Sequence, residues 1–236
     1  MIVGSTKEDL ILEKRVSLTP ETAKNIIGLG LNLCLEKDYA IHLGIQDSEY
    51  KKVGVEIKNT SNDVLSSSDL LIKVNCPSEN EISILKEKTI LIGMLNPTQN
   101  KNQINEIIKK KLNVFSLELL PRITRAQSMD VLSSQSNLAG YRAVIDCVTE
   151  FEKAVPMMMT AAGTIPAAKV LIIGAGVAGL QAIATAKRLG AIVSATDVRA
   201  ASKEQVESLG GKFLTVKQSE DMETAGGYAK EATEDY

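Results

Sequence analysis

The chain has 236 residues, 44% of them hydrophobic, which is enough apolar material for a buried core in one or two domains. Its 27 basic and 29 acidic residues give a formal net charge of −2 without a long block of either sign. That balance argues against nucleic acid as a partner, because phosphate binding requires a basic face. Three Phe and no Trp also leave little material for a platform on which bases could stack.

Cysteines, histidine and apolar runs narrow the class of protein further. Cys34, Cys76 and Cys147 are isolated, and the single histidine, His42, lies in a segment expected at the surface. They predict reduced thiols in a cytosolic protein and no metal site. The N-terminus carries charges where a secretory signal would be apolar. The apolar run 170–186 is shorter than the ~20 residues of a membrane span and contains glycines, so it predicts a buried strand and a helix.

Helix-like and strand-like patterns alternate over the first half of the chain. Thr19 is a predicted N-cap with Pro20 at the first helical position, and Gly28 and Gly30 are expected to end that helix. Further helix–strand pairs follow, with strands predicted in LNLCLEK, DLLIKVN, TILIGML and NVFSLEL. Since β and α units of this length alternate, we expect an α/β domain with a parallel sheet covered by helices on both faces.

A polar segment, RITRAQSMDVLSSQ at 122–135, separates this domain from a more apolar region. By itself it is typical of a solvated interdomain loop that leads into an N-capped helix, here NLAGYRAVIDCVTEFEKAV. We therefore place the N-terminal domain at 1–135 and a second α/β domain at 136–236. Between that helix and the second sheet, Met157, Met158 and Met159 begin a linker or an extended entry strand, and we expect them to pack at the domain junction.

The most specific signal is a glycine-rich turn in the second domain. A strand ending at Ile173 runs into Gly174, Gly176 and Gly179 at G-x-G-x-x-G spacing, and a helix follows. The next strand ends at Asp197, 18 residues beyond Gly179. Such a glycine motif is weak evidence when it stands alone. Here strand, glycines, helix, strand and acid occur in the order of a dinucleotide-binding unit.

The residue types in this unit suit a dinucleotide. Gly174 allows a tight turn, Gly176 lets a pyrophosphate approach the backbone, and the helix N-terminus presents N–H groups and positive partial charge. Asp197 can accept both ribose hydroxyls, and its charge opposes a 2′-phosphate, which favours NAD(H) over NADP(H). Arg199 acts in the opposite direction because an arginine can accommodate that phosphate. We expect Asp197 to decide the preference.

Several segments resemble those of a known family. The segments are EKRVSLTPETAKNI, LLIKVNCP, RITRAQSMDVLSSQSNLAGYRAV, GAGVAGLQA, DVR and GGYAKE. They are similar to domain I, the NAD(H)-binding portion at the start of the alpha subunit, of proton-translocating NAD(P) transhydrogenase, which is related to alanine dehydrogenase. The resemblance runs across essentially the whole chain. It implies a flavodoxin- or Rossmann-like N-terminal sheet followed by a partial Rossmann domain that binds NAD(H).

The resemblance also implies an activity and partners. The activity is Si/Re-specific hydride transfer between NADH and NADP⁺, coupled to proton translocation in a multi-subunit complex. The expected partners are the rest of the alpha subunit, a membrane-spanning domain, a beta subunit that binds NADP(H), and a second copy of domain I. The location would be the cytoplasm or the cytoplasmic face of the inner membrane. Alone, the chain is expected to bind NAD(H) and to turn nothing over.

The family pattern implies roles for particular residues. A loop with Arg122, Gln127 and Asp130, followed by Ser133, would position the nicotinamide against the partner's NADP(H) as the catalytic set. The other implied cofactor contacts are Ile123 and Thr124 at the nicotinamide, Val177 at the pyrophosphate, Asp197, Val198 and Arg199 at the adenosine ribose, and Gly227 and Tyr228 in a mobile loop. Hydride transfer between two nicotinamides requires two aligned rings and no nucleophile or metal, which agrees with this set.

Alanine dehydrogenase is the alternative enzyme. Arg15 and Lys73 match positions where that family binds its keto acid, although a surface ion pair and a strand-end charge explain them as well. That family's proton-transfer histidine is missing, because the matching strand continues into Asn96 and Pro97. A third possibility, an NAD-binding module without turnover, stays open.

Only three strands, KVLII, AIVSAT and KFLTV, are predicted around and after the glycine turn, which is the first half of a six-stranded doubly wound sheet. A split gene product or a truncated one would explain this. Either would expose apolar surface, so we expect poor solubility or obligate association. A monomeric chain that melts cooperatively and binds no hydrophobic dye would contradict this expectation.

Overall fold

The computed structural model describes residues 1–121, 123–215 and 230. The chain divides into two compact units, Met1–Asp130 and a second unit from Val131 onward. Each unit has a parallel sheet and a hydrophobic core of its own.

Six strands form the sheet of the first unit. They are β1 (Ile2–Ser5), β2 (Asn32–Glu36), β3 (Glu56–Lys58), β4 (Leu70–Asn75), β5 (Ile90–Met94) and β6 (Asn113–Ser116). The strand order is β3-β2-β1-β4-β5-β6, and every neighbouring pair is parallel. The order of the chain therefore reverses between β1 and β4, which is the topological switch point of the sheet. The predicted parallel α/β domain is confirmed.

Short helices connect these strands. They are α1 (Pro20–Gly28), α2 (Asp47–Lys52), α3 (Ser61–Ser67), α4 (Glu79–Ile84) and α5 (Lys101–Lys109), with 3-10 turns at Ile41–Leu43, Leu117–Leu119 and Thr124–Met129. The first helix begins and ends where the sequence predicts. The Thr19 hydroxyl accepts the backbone N–H of Thr22, Pro20 lies in the first turn, and Gly30 takes a left-handed φ of +82° just beyond the end.

Two tyrosines anchor one half of the first core. Tyr39 and Tyr50 are buried and meet edge to face, with ring centroids 5.9 Å apart. The Tyr39 hydroxyl lies 2.9 Å from Ser5 Oγ and 2.8 Å from Ser17 Oγ, while Tyr50 donates to the Leu18 carbonyl. Burial raises the pKa of Tyr39, so its hydroxyl stays protonated. The two serine hydroxyls satisfy its hydrogen bonding inside the core.

The second unit starts with a long helix and continues with a hairpin and a small sheet. Its helices are α6 (Val131–Glu150), α7 (Val177–Arg188) and α8 (Ser202–Ser208). Its strands are β7 (Met158–Thr160), β8 (Gly163–Ile165), β9 (Lys169–Ile173), β10 (Ile192–Thr196) and β11 (Lys212–Phe213). The last three form a parallel sheet in the order β11-β10-β9, and β7 pairs with β8 as an antiparallel hairpin. The three strands predicted around and after the glycine turn are confirmed.

Two predictions in this unit are wrong. The polar segment does not stay a loop up to residue 135, because α6 already begins at Val131 and includes Ser133. No glycine or proline interrupts the run from there to Ala139, and the Ser134 hydroxyl bonds back to the Val131 carbonyl, so the helix extends through the serines. The domain boundary predicted between 135 and 136 therefore falls inside this helix.

The three methionines do not pack as predicted. Met157, Met158 and Met159 are 60%, 49% and 72% exposed, and the last two belong to the first strand of the hairpin. A two-stranded hairpin has few neighbours on either face, so its side chains stay at the surface.

Strand β9 carries apolar side chains that the described residues leave uncovered. Leu171 and Ile173 are 56% and 81% exposed, and Ile192 on β10 is 56% exposed. In the portion of the chain that the structure describes, β9 pairs only with β10. The apolar surface expected from the sequence is present, and the association that it would drive stays a prediction. None of the described helices combines the length and the apolar character that a membrane span needs.

Candidate functional site

The turn between β9 and α7 has the shape that its glycines predict. Gly174 takes a φ of +92°, a conformation that side chains rarely adopt. A Cβ on Gly179 would lie 1.8 Å from the Gly174 carbonyl oxygen, so the first turn of the helix presses against the end of the strand. Both glycines are therefore required by the backbone itself.

The N-terminus of α7 is open to an anion. Gly176 is the N-cap residue and, as a glycine, provides no side-chain hydrogen bond to the first-turn N–H groups. A Cβ on Gly176 would meet only one atom of the described chain within 4 Å, Arg199 Nη2 at 3.9 Å. Helix α6 packs closely against α7 at Gly140. A Cβ on Gly140 would lie 2.0 Å from the Ala178 carbonyl oxygen, so only glycine allows this contact. Partly exposed Val177 begins the helix.

Asp197 lies beside this turn, as predicted. Its Oδ2 accepts the backbone N–H of Ala175 at 2.6 Å, between the two first glycines of the motif. Arg199 contributes three more donors, from its backbone N and Nε to Oδ1 at 2.8 and 2.9 Å, and from Nη2 to Oδ2 at 3.0 Å. The side chains of Asp197 and Arg199 are 6% and 17% exposed. The carboxylate thus joins the glycine turn to a guanidinium.

These hydrogen bonds fix the charge of the acid. Burial raises the pKa of Asp197, but the hydrogen bonds from the Arg199 side chain and backbone and from Ala175 outweigh it and hold that pKa at about 2. The carboxylate is therefore ionised throughout the physiological range. Half-buried Val198 lies between the two charged residues in the chain, so the predicted ribose set is brought together at the turn.

Of the predicted ring-positioning residues that the structure describes, Gln127 and Asp130 belong to the first unit and Ser133 to the second. Ile123 precedes the 3-10 turn Thr124–Met129, and Ile123, Thr124 and Gln127 are exposed. Asp130 is half-buried directly before α6, and Ser133 is half-buried within its first turn. Arg122, Gly227 and Tyr228 lie outside the described residues.

The first unit contains a charged cluster that the sequence did not predict. Lys73 is 5% exposed, and β4 continues beyond it to Asn75, so it is a buried cation within the strand and not the strand-end charge considered from the sequence. Its Nζ lies 2.7 Å from Glu81 Oε1 and 3.9 Å from Glu8 Oε2, and it donates to the Lys7 carbonyl at 3.3 Å. Burial raises the pKa of Glu8 more than Lys73 lowers it. Burial also raises the pKa of Glu81, but the ion pair with Lys73 and the hydrogen bonds from Ser78 outweigh it, so the pKa of Glu81 is lowered.

Arg15 forms an ion pair with Glu13, which was the alternative explanation of this residue from the sequence. Its backbone N and Nε each donate to Glu13 Oε1 at 2.8 Å, and its Nη2 lies 2.6 Å from Oε2. These hydrogen bonds hold the pKa of Glu13 at about 2. Asn75 Nδ2 lies 3.4 Å from the same carboxylate, so the pair adjoins the end of β4. Both cations that match the keto-acid positions are already paired with carboxylates of the chain.

No histidine follows β5, where Asn96 takes a positive φ of 44°. His42 is exposed, as predicted, and its Nε2 lies 2.8 Å from the Lys14 carbonyl oxygen. The single histidine thus belongs to a surface turn.

The second unit defines a class of protein. The first strand of its parallel sheet runs through a glycine turn into a helix, and an acid follows the next parallel strand at that turn. This arrangement is typical of a dinucleotide-binding domain. Comparison with protein families agrees. The model described as alanine dehydrogenase/PNT, N-terminal domain, matches residues 4–139, and the one described as alanine dehydrogenase/PNT, C-terminal domain, matches residues 143–232. The chain belongs to the alanine dehydrogenase/PNT family.

Relatives within the family include proteins with transhydrogenase names. The chain is 50% identical to the first of the separate pieces of NAD(P) transhydrogenase subunit alpha of Rhodospirillum rubrum, and 48% identical to the protein of the same name from Rickettsia prowazekii. Each alignment covers 100% of this chain and 63% of the relative. The crystal structure of transhydrogenase from Sinorhizobium meliloti is 51% identical with a TM-score of 0.87, over 91% of this chain and 64% of that one. The chain therefore spans less than two thirds of these relatives.

Alanine dehydrogenases are more distant. The protein of that name from Methanococcus maripaludis is 27% identical over 98% of this chain and 62% of its own length. A structure of L-alanine dehydrogenase is 23% identical with a TM-score of 0.77, which shows the fold alone. The resemblance to transhydrogenase stated from the sequence is confirmed.

Proposed function

We propose that this chain is the NAD(H)-binding component of a proton-translocating NAD(P) transhydrogenase. In this proposal a hydride passes between NADH on this chain and NADP⁺ on a partner beta subunit, and the passage is coupled to proton translocation. The observation that carries the proposal is the glycine turn with Asp197 hydrogen-bonded to it. Identity of about half over the entire chain with relatives named NAD(P) transhydrogenase subunit alpha supports it.

The residues at the turn fit the cofactor. Gly176 leaves space beside the N-terminus of α7, where an added Cβ would have, apart from its chain neighbours, only Arg199 Nη2 of the described chain within 4 Å. This space suits the pyrophosphate, with Val177 next to it. The ionised carboxylate of Asp197 is an acceptor for ribose hydroxyls, with Val198 and Arg199 beside it. NAD(H), when bound, supplies the nicotinamide that carries the hydride.

The ring-positioning set is the second element of the proposal. Arg122, Gln127 and Asp130, followed in the chain by Ser133, would hold the nicotinamide in line with the partner's ring. Exposed Gln127 supports this role, because its amide is accessible to a carboxamide or to a ribose hydroxyl. Ile123 and Thr124 are also exposed and would line the ring. Gly227 and Tyr228 would close over the bound nucleotide.

The assembly is likewise proposed. The partners would be the rest of the alpha subunit, a membrane-spanning domain, the beta subunit that binds NADP(H), and a second copy of this component. Two of the relatives carry names that mark them as the first piece of a divided subunit, which supports a split subunit here. The reaction would be of the Si/Re-specific class at the cytoplasmic face of the membrane, and the chain alone would be inactive.

The test is a titration with NADH followed by an assay of hydride transfer to an NADP⁺ analogue. We expect saturable NADH binding by the chain, and transfer only after the partner components are added. Fluorescence of the reduced nicotinamide reports binding, and absorbance of the reduced analogue reports transfer. A chain that does not bind NADH at all would overturn the proposal.

Gln127→Asn tests the positioning role. Shortening the side chain by one methylene moves the amide away from the ring, so hydride transfer should fall by about 100-fold while the Kd for NADH changes by less than about 3-fold. Rapid-mixing kinetics in the assembled complex measures the first and titration the second. Gln205→Asn, on the exposed face of α8, is the matched control and should change neither. A proportional loss of both quantities would contradict a positioning role.

An alanine dehydrogenase activity is the weaker candidate. Oxidative deamination requires a group that titrates near neutral pH, and the strand that should supply a histidine is followed by Asn96 and Pro97. The two cations at the matching keto-acid positions are engaged by Glu13, Glu8 and Glu81.

A further inference from the structure

The guanidinium of Arg199 lies at the anion-binding turn. Its Nη2 is 3.9 Å from where a Cβ on Gly176 would be, and apart from Gly176 and its two chain neighbours no other atom of the described chain lies within 4 Å of that point. A cation of this shape binds phosphate oxygens as well as carboxylate oxygens, because its N–H groups form a planar fork. The Arg199 guanidinium, which lies nearest to Gly176, can therefore bind a phosphate group.

Asp197 occupies that fork. Nε and Nη2 of Arg199 donate to different oxygens of the carboxylate, at 2.9 and 3.0 Å, which is the two-pronged geometry that a phosphate would otherwise receive. The backbone N of Arg199 holds Oδ1, and Ala175 holds Oδ2 from the other side. The carboxylate is thus fixed by backbone donors in a position that engages the guanidinium.

We propose that Arg199 is a latent receptor for the adenosine 2′-phosphate of NADP(H), kept inactive by its ion pair with Asp197. On this proposal, which rests on the proposed binding of NAD(H) at the turn, the pair decides the cofactor preference. Asp197 accepts the ribose hydroxyls and at the same time withholds the side chain that could bind a 2′-phosphate. Simple repulsion by Asp197 would need no contribution from Arg199, so the two explanations make different predictions.

The experiment is a double-mutant cycle on the full chain, with NADH and NADPH as separate ligands. Asp197→Asn removes the charge and keeps a side-chain oxygen that can accept the Ala175 N–H. We expect this variant to bind NADPH about 10-fold more tightly than the wild type and NADH about 10-fold more weakly. Each change corresponds to one charge-assisted hydrogen bond, formed to the phosphate in the first case and lost to the ribose in the second. In Asp197→Asn/Arg199→Ala the increase in NADPH affinity should disappear to within about 3-fold.

Arg199→Ala alone provides a test that does not depend on the folding of the Asp197 variant. Because the guanidinium is engaged by the carboxylate, its removal should change the ratio of NADPH to NADH affinity by less than about 3-fold. Glu13→Gln breaks the pair of the same geometry in the first unit and should leave both affinities at their wild-type values. Thermal unfolding of each variant reports whether the fold is retained.

The outcomes separate this inference from the proposed function. Wild-type chain that fails to bind NADH would overturn the proposed function itself. NADH binding by the wild type, with no increase in NADPH affinity in Asp197→Asn, would overturn only the latent receptor. So would an increase that persists without Arg199, since that result indicates repulsion alone. A selective loss of NADPH binding of about 10-fold in Arg199→Ala would also overturn it, because the guanidinium would then already serve the phosphate.

Discussion

The carboxyl-terminal edges of the two parallel sheets differ in what fills them. In the first unit, β1 is followed by Thr6, Lys7 and Glu8, and the buried Lys73 of β4 is paired with Glu8 and Glu81. In the second unit, β9 is followed by the glycine turn, where a Cβ on Gly176 would meet only Arg199 Nη2 among the described atoms. Ligands of α/β proteins bind at this edge, where the strand order reverses. Charged side chains close the edge in one unit, and glycines leave it open in the other.

Both edges carry the same pair of charges. Arg15 bonds Glu13 and Arg199 bonds Asp197 with the arginine two residues after the acid, through the backbone N, Nε and Nη2 in each case. Both carboxyls have a pKa of about 2. The pair by itself is therefore a local structural motif. What makes the second one a candidate ligand site is the backbone N–H of Ala175, which connects it to the glycine turn.

Removing the buried cation at the closed edge of the first sheet should have the largest effect on stability. Lys73→Met leaves Glu8 and Glu81 without their buried cation, so we expect a loss of about 3–5 kcal/mol in the free energy of unfolding at pH 7. Without the cation the pKa of each carboxyl rises, and protonation then restores neutrality. The deficit should therefore shrink as the pH is lowered from about 7 toward about 4. Urea denaturation at several pH values measures it.

Lys86→Met is the matched control for that variant. Lys86 pairs with Asp69 at 3.5 Å, and both side chains are nearly half exposed. Its removal should change stability by less than about 0.5 kcal/mol. Equal effects at Lys73 and Lys86 would show that the buried cluster does not hold the first edge closed.

Adding a methyl group at each of two glycines of the open edge should distinguish an effect on folding stability from an effect on NADH binding. Gly179→Ala places a Cβ 1.8 Å from the Gly174 carbonyl oxygen, a backbone atom that cannot move aside as a flexible side chain could, so we expect a loss of about 3 kcal/mol and of NADH binding. Gly176→Ala has an allowed φ of −73° and meets only Arg199 Nη2 of the described chain, at 3.9 Å. It should keep its melting temperature and weaken NADH binding by about 10-fold, because the methyl group takes space needed by the pyrophosphate. Calorimetry with and without NADH measures both.

The comparison between Gly176→Ala and Gly179→Ala shows whether the space beside Gly176 serves a ligand. If Gly176→Ala binds NADH as the wild type does, the nucleotide does not approach the backbone at this turn. If it unfolds like Gly179→Ala, the space beside Gly176 is needed by the protein and not by a ligand.

Acid should weaken the two pairs alike, with the smallest effect. Each folded-state pKa lies below its ordinary value of about 4, so each pair contributes stability that is complete above about pH 4 and is lost as the pH falls through about 2. With allowance for solvent screening, the contribution is on the order of 1 kcal/mol for each pair. The free energy of unfolding should therefore fall less steeply between about pH 4 and about pH 2 in Asp197→Asn and in Glu13→Gln than in the wild type. An unchanged slope in either variant would show that its pair is not maintained in solution.

The glycine turn could be predicted from the sequence because its elements are close in the chain. Gly174 and Gly179 are required by backbone geometry that few other residues allow, Gly176 lies between them, and Asp197 directly follows the very next strand. The start of α6 was missed because serines at 133 and 134 are typical of a loop, although helix formation there depends on the whole helix and not on each residue.

By itself, the sequence determined the α/β class, the parallel order of strand and helix, and the residues of the candidate dinucleotide turn, since these follow from local periodicity and from glycine. Only the tertiary structure decided the surroundings of Lys73 and Arg199. Lys73 is buried because β4 lies beside β1, which brings Glu8 from a distant segment of the chain within 3.9 Å. Arg199 is engaged because the turn after β9 fixes Asp197 against it. The sequence shows which groups a charged side chain could bind, and the fold decides which of them lies within contact distance.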